Sequence, residues 1–415
     1  MNSAPAGGPT GRATFKDPQA ERTAAVRRRR ADSAAPDAAG ISVEPLRHGR
    51  DLDLFARFPW QIYRDDPDWV PPLLADFKKF FDPKQHPFYE HSECRPFLAR
   101  RNGEVVGRIA AIWNKNHQKF HDEPVGFFGF FECIDDHDVA MALFARAEAW
   151  LKERGLNVMR GPASFSSNEE WGLLIDGWNG PPRVMMTYNP RYYPPLIEGC
   201  GFAKVKDLVA YHFMGTGVPE RLARGTDIVA KRNPDVVIRP LNMKKFNAEL
   251  TIVRELYNRC WERNWGFVPM TEAEIDHMAK ELKPVINPAL VLIMEKAGVP
   301  IGFSLTLPDL YLAQKHANGR YFPFGLLKML WHARKIRTVR VLTLGIVPEY
   351  RHGGLDALLY RQLMETSYAR GIPGGEFSWM LEDNIAIKKP MENLGASIYR
   401  TYRLYDRRLY DGPVA

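Results

Sequence analysis

Residues 97–113 and 290–307 are two largely apolar runs of strand-like composition. A turn signal interrupts each run, Asn102-Gly103 in the first and Ala297-Gly298 in the second. Each run therefore predicts a β-hairpin. Elsewhere the spacing changes to the three-and-four rhythm of a helix. Met141, Phe144, Ala147 and Leu151 mark one helix that starts at Asp138 and stops at Gly155. Leu250, Val253, Leu256, Tyr257, Cys260 and Trp261 mark a second over 246–263, and Ile275, Met278 and Leu282 a third. That third helix follows Thr271 and Glu274, the spacing of a capping box. Leu355, Leu358, Leu359 and Leu363 mark a fourth that ends at Gly371. An apolar strand, 339–347, leads into this helix, and strand 376–381, a short broken helix and an aromatic strand around 398–405 follow it.

The two hairpins belong to a repeated unit. Gly107 and Gly302 occupy equivalent hairpin positions 195 residues apart, and Gly201 and Gly395 occupy equivalent terminal turns 194 apart. Matching offsets at separate landmarks predict tandem domains. The expected division is a basic tail over 1–40, a first domain over 41–214 and a second over 215–415, with Gly215 to Pro219 opening the linker.

The copies differ at one turn. In the second, strand 339–347 passes through Pro348 into Glu349-Tyr350-Arg351-His352-Gly353-Gly354 and then a helix. A glycine pair at a helix start offers unpaired N–H groups and the positive end of the helix dipole, which suits a diphosphate. Arg351 and His352 would add charge-assisted contacts. In the first copy the same place reads Glu132-Cys133-Ile134-Asp135-Asp136, without glycine and with three carboxylates that repel a diphosphate. Only the second copy is expected to bind one.

In order and spacing these features resemble the GNAT superfamily of CoA-dependent N-acyltransferases. Val347, Pro348, Tyr350, Arg351 and Gly354 match its phosphate-loop pattern, and Asn384, Ala386 and Gly395 its later strand-and-turn pattern. Asp356 stands where that loop has a small residue, and Met391 where many members have a tyrosine acid. The resemblance implies an α/β (α+β) fold of two tandem GNAT-like domains, each a mixed, mostly antiparallel sheet flanked by helices. It implies acyl-CoA as co-substrate, held by Leu344, Ile346, Val347, Arg351, His352, Gly353, Gly354, Leu355 and Asn384. The helices 246–263 and 272–282 would border the acceptor side.

Amide formation from a thioester needs a base for the amine's proton, donors for the oxyanion and a proton for the thiolate. Strict alternation puts Glu376, Ser378, Met380 and Glu382 on one strand face, so Glu382 is the first candidate base. Its structural alternative is an ion pair with a nearby Arg, or capping of the next helix through its neighbour Asp383. Tyr399 is the candidate acid, and Glu170 a rival base. The polar loops around Asn168, Glu169, Tyr188 and Asn189 are candidate acceptor contacts. No H-E-x-x-H spacing occurs, so no metal mechanism is expected.

Composition narrows the setting. Apolar runs fall far short of the ~20 residues of a membrane span, and the N-terminus has no apolar signal segment. Four scattered cysteines (Cys94, Cys133, Cys200, Cys260) fit a reducing cytoplasm. Of the net charge of +8, residues 1–40 supply +3, including four consecutive arginines at 27–30. The tail reads as disordered and solvated, with contact to anionic lipid at the inner membrane face as the sharper alternative. No nucleic-acid module accompanies it, and nothing here fixes the oligomeric state.

Segments 66–73, 161–177, 188–208, 264–271 and 378–384 further resemble bacterial ceramide synthases, which join a long acyl chain to a sphingoid-base amine. The resemblance implies an N-acyltransferase of lipid metabolism. The chain's 23 Phe, 10 Trp and 14 Met can line a hydrocarbon pocket. Two phenylalanine-rich runs, 127–131 and 322–327, are either core or tunnel, and the second, followed by Lys328, His332, Arg334, Lys335 and Arg337, can also meet a bilayer. Two alternatives stay open: an aminoacyl or acyl transferase acting on an amino acid or cell-wall precursor, and a non-catalytic acyl-CoA sensor.

Overall fold

The computed structural model describes residues 40–47 and 49–410. The arginines at 27–30, and the lipid contact expected of them, lie outside the described residues. Fifteen strands follow in chain order. They are β1 (Ile41–Pro45), β2 (Glu93–Arg101), β3 (Glu104–Trp113), β4 (Val125–Cys133), β5 (Val158–Gly161), β6 (Ala163–Ser164), β7 (Glu170–Trp171) and β8 (Leu173–Asp176). The remainder are β9 (Ala203–Met214), β10 (Val236–Pro240), β11 (Val291–Lys296), β12 (Val299–Pro308), β13 (Thr338–Ile346), β14 (Gly374–Leu381) and β15 (Ser397–Arg408).

All but β6 and β7 join one mixed sheet in the order β1-β2-β3-β4-β5-β15-β9-β14-β13-β12-β11-β10, with β8 also on β15. The halves exchange their last strands. β9, from the first half of the chain, pairs with β14, while β15, from the second, lies between β5 and β9. Residue 214 therefore ends a strand shared by both halves, and the sheet runs through the junction without an edge. The predicted hairpins are β2–β3 and β11–β12. Their turns hold Asn102, Gly103, Ala297 and Gly298 at positive φ, the conformation for which Asn and Gly are suited.

The only parallel pairs among the described strands are β4–β5 and β13–β14, and each is short. β4 meets β5 over three registers, Val125–Val158 to Phe127–Arg160. β13 meets β14 over four, Thr338–Gly374 to Val341–Phe377. Beyond these the strands part, and a β-bulge lies at each parting. On β4 two residues, Phe130 and Phe131, oppose Ile109 alone; on β13 Leu342 is extra between Val341 and Thr343. A bulge bends its strand and stops the pairing. Each half thus carries a V-shaped opening in its sheet, and the repeat inferred from two glycine offsets reappears as this shared geometry.

The helix after β4 begins at His137, one residue before the expected Asp138, because Asp136 is its cap. The Asp136 carboxylate accepts from the amides of Asp138 (3.0 Å) and Val139 (3.2 Å) and pairs with Arg101 at 2.8 Å. Arg101 and these amides hold its pKa below the ordinary value. Asp136→Ala is expected to cost about 1–2 kcal/mol, read as a lower denaturation midpoint. A depressed carboxyl pKa stabilises above the unfolded-state pKa and loses that contribution as pH falls through the folded one. The gap between wild type and variant should therefore close on acidification. Asp135 and Asp136 sit at this helix start as expected, but Glu132 points inward.

Candidate functional site

The second opening is where the sequence resemblance places the thioester. Past Val341, β13 loses its partner on the β14 side, and residues 342–345 are only half-buried in mid-sheet. Two donors lie buried there without a hydrogen-bond partner, Thr343 Oγ1 on β13 and Trp379 Nε1 on β14. Buried orphans of this kind are costly unless a ligand meets them. Both residues line a mainly apolar cavity of about 140 Å³ that reaches Phe303, Tyr257 and Phe246.

Leu344, Ile346 and Val347 lead from this cleft to the expected phosphate loop. The loop is a tight turn, Pro348–Gly353, followed by Gly354 at φ 72° and the helix Leu355–Tyr368. Gly353 is exposed, and a Cβ placed on it meets nothing closer than Leu355 Cγ at 3.9 Å. His352 lies in the turn. Arg351 is used differently from expectation: its Nε donates to the carbonyl of Ile346 (3.0 Å) and Nη2 to that of Cys260 (2.6 Å). The guanidinium fastens the turn to strand and helix. Burial raises the pKa of Asp356 above its ordinary value. Asn384 precedes the helix Ile385–Asn393, its side chain making no capping bond.

Glu382 lies outside the cleft. Its carboxylate pairs with Lys204 at 2.7 Å and accepts from the Asp207 amide at 3.0 Å, in a turn beyond the end of β14. Strict alternation fails because the β9–β14 register shifts between Phe377 and Met380, so Glu376 and Glu382 do not share a face. Glu376 is instead fully buried, accepts from Ser378 Oγ and Tyr399 OH, and lies 3.6 Å from Arg340. Arg340 also donates to Ser378 Oγ (2.8 Å) and the Val184 carbonyl (2.7 Å). Burial, then the charge of Glu376, pushes the Tyr399 hydroxyl far above its usual range. That makes it a weak acid held inside a structural network.

The first opening contains a larger cavity of about 390 Å³. Its walls are mostly aromatic and aliphatic, from Trp69 and Phe77 to Met186 and Tyr311, with a few inward carboxylates. Deep in it, Glu132 accepts from Tyr63 OH (3.0 Å) and Tyr193 OH (2.7 Å) and lies 3.6 Å from Arg108. Burial outweighs the pairing, so the Glu132 pKa rises and that of Arg108 falls. Glu170 lines the same cavity at an exposed position. Burial lifts its pKa to about 7 against the opposing charge of Arg108.

Glu169 and Asn168 line both cavities. Burial, then the neighbouring Glu274, raises the Glu169 pKa to about 8. Its Oε2 accepts from the amide and hydroxyl of Ser166, both at 3.2 Å. Asn168 ties the halves together, accepting from Tyr257 OH (2.7 Å) and donating to the Val268 carbonyl (3.1 Å). The Thr271–Glu274 capping box, which forms as predicted, sets the helix Glu272–Leu282 against this seam. Tyr188 lines the large cavity and donates to Asp66 at 2.9 Å. Asn189 is a clamp: its amide oxygen and nitrogen bond the backbone of Leu174 and Pro190.

The structure thus brings Glu169, Asn168, Glu170 and Tyr188 to one cavity system, and leaves Glu382 and Tyr399 out of it. Sequence reasoning missed Tyr63, Arg108, Glu132, Thr343 and Trp379. For Arg108 and Glu132 a signal existed, since each is a lone charge inside an apolar strand. Among the described residues no group of three or more His, Cys, Asp or Glu is arranged to hold a metal ion.

No family model matches the chain. It is 37% identical over 367 residues to protein YghO of Escherichia coli, covering 86% of this chain and 93% of that protein. It is 36% identical over 383 residues to the bacterial ceramide synthase of Caulobacter vibrioides, covering 89% and 98%. Among solved structures, a tandem GNAT protein from the clavulanic acid biosynthesis pathway superposes with a TM-score of 0.52 at 13% identity, over 90% of this chain and all of that one. A GCN5-related N-acetyltransferase from Sphaerobacter thermophilus gives 0.51 at 12%, over 92% and 98%. At these identities the superpositions speak to the fold.

Proposed function

The chain belongs to the tandem-GNAT family of protein YghO and bacterial ceramide synthase, and from that premise we propose that it moves a long-chain acyl group from acyl-CoA to a sphingoid-base amine. It is an acyl-CoA-dependent N-acyltransferase; the donor chain length and the acceptor are the parts of the reading proposed here. The observation that carries it is the seam at Asn168 and Glu169, where the cavity of the thioester cleft meets a larger, mostly apolar cavity. A pocket of a few hundred Å³ with apolar walls and a few inward carboxylates suits an aliphatic chain with one cationic polar end.

In this reading the thioester carbonyl lies at the parting of β13 and β14, near Thr343 and Trp379. The diphosphate rests on the turn around Gly353, and the amine arrives from the large cavity. The amine lone pair attacks the carbonyl carbon, and the tetrahedral adduct collapses with cleavage of C–S. Glu169, its pKa raised to about 8, takes the proton lost by nitrogen. The thiolate leaves as such or recovers a proton from solvent. The first half, lacking a glycine turn, uses its own sheet opening for the acceptor.

Purified full-length protein, long-chain acyl-CoA and a sphingoid base are expected to release CoA and yield the corresponding amide by mass spectrometry. Turnover with amino acids or cell-wall precursors, and none with long-chain amino alcohols, would overturn the reading.

A further inference from the structure

The segment from Arg320 to Arg337 carries an inverted surface. In the helix Gly325–Ala333, Gly325 is buried and Met329 half-buried, whereas Leu326, Leu327, Leu330 and Trp331 point outward. Leu327 is 63% and Trp331 52% exposed, and Phe322, just before the helix, is 80% exposed. Single exposed apolar residues are ordinary, but a contiguous set on one helix face marks a contact surface. Residues 320–337 hold five Lys or Arg, the two end residues included, and no Asp or Glu. Lys328, Arg334, Lys335 and Arg337 are exposed, and the Lys335 ammonium sits 3.5 Å from the centre of the Trp331 ring.

We propose that this face is a membrane-docking surface that inserts into the headgroup region of an anionic bilayer. An apolar ridge bordered by cations, with tryptophan at the boundary, is the pattern of an interfacial helix. Charge complementarity selects the occupant. A second copy docked through the same face would bring identical cations together without acidic partners, whereas anionic headgroups neutralise them. No described helix is long and apolar enough to cross a membrane, so the contact is peripheral.

The surface is joined to the wall of the large cavity. Tyr321 OH donates to Asp76, the Gly319 carbonyl accepts from the Leu74 amide at 3.0 Å, and Gln314 donates to the Pro71 carbonyl at 3.0 Å. Asp76, Leu74's neighbour Leu73, and Gln314 itself line that cavity. Docking here would set the cavity beside the bilayer. The proposal rests on the lipid-amine reading for its purpose, and on the exposed face alone for its geometry.

The test is co-sedimentation of the full-length protein with phosphatidylcholine vesicles, with and without phosphatidylglycerol, in the absence of any substrate. Wild type should bind the anionic vesicles, less so at high salt. Leu327→Ser with Leu330→Ser and Trp331→Ser should weaken partitioning at least about tenfold. Lys328→Glu with Lys335→Glu should remove the preference for phosphatidylglycerol. All substituted side chains are exposed, and an unchanged circular dichroism spectrum checks folding. Full vesicle binding by both variants would assign binding to the N-terminal tail and overturn the proposal. So would no binding by wild type, or a dimer that the first variant dissociates. Turnover on detergent-dispersed amine, measured separately, should match wild type in the first variant; its failure in both proteins would count against the reaction and leave the vesicle result standing.

Discussion

Glu169→Gln is expected to lower turnover roughly 10²–10⁴-fold, the usual loss on removing a general base, with little change in acyl-CoA affinity. The substitution keeps shape and the bonds from Ser166 while removing basicity. Because burial and Glu274 raise the Glu169 pKa to about 8, its carboxylate form accumulates only as pH climbs to that value. The wild-type kcat/KM should rise with pH and level off above about 8, and the variant should lack this limb. A limb near 7 that survives in Glu169→Gln and vanishes in Glu170→Gln would transfer the role to Glu170, whose pKa is raised to about 7. Linkage gives an independent check. From the ordinary 4.5 up to about 8 the folded state holds a proton that the unfolded state releases, so rising pH removes stability across that window. The glutamine variant should show a flatter stability profile there. Glu382→Gln serves as the control: an exposed ion pair with Lys204 contributes little, and turnover should stay within about threefold of wild type. A loss as large as that of Glu169→Gln would restore Glu382 as the base and refute the seam mechanism.

Local signals in the sequence carried the elements well. Both hairpins were legible because Asn102-Gly103 and Ala297-Gly298 supply the positive φ that two-residue turns need. The Thr271–Glu274 box was legible because both partners are fixed by spacing alone. What depended on pairing between distant strands was not. The exchange of β9 and β15 has no local signature, since it consists of pairings between strands far apart in the sequence. The face of Glu382 was misjudged for a related reason: the register shift between Phe377 and Met380 belongs to the β9–β14 ladder and leaves no mark on β14 read alone. Arg351 matched a motif, yet the Ile346 and Cys260 carbonyls that claim it lie on separate elements. Asn168 and Glu169 were picked out as a polar cluster without a structural excuse. Their place at the seam of two cavities required the second half's helices, Phe246–Trp261 and Glu272–Leu282, to be set against the first half's loop.

Gly353→Glu is expected to weaken acyl-CoA binding roughly 10²-fold, about 2.7 kcal/mol, in titration calorimetry. The position is chosen because it separates ligand from fold. Gly354 has φ 72°, and a Cβ there would lie 3.3 Å from Val229 Cγ2, so any side chain at that position strains the free protein. Gly353 is exposed, its φ is ordinary, and the nearest atom to a Cβ is 3.9 Å away. A carboxylate just before the helix Leu355–Tyr368 also interacts favourably with the helix dipole, so the melting temperature of the free protein should hold or rise slightly. In the proposed reading the same carboxylate occupies the ground of the diphosphate. Two unit charges about 6 Å apart at an effective dielectric near 20 repel by about 3 kcal/mol, enough for the expected loss. Added salt should recover part of the affinity by screening. An acyl-pantetheine thioester, which keeps the cleft contacts and lacks the diphosphate, should bind both proteins alike. Unchanged acyl-CoA affinity in Gly353→Glu would place the nucleotide away from this turn. An equal loss for acyl-pantetheine would mean that the substitution disturbs the parting of β13 and β14 instead of the phosphate contact.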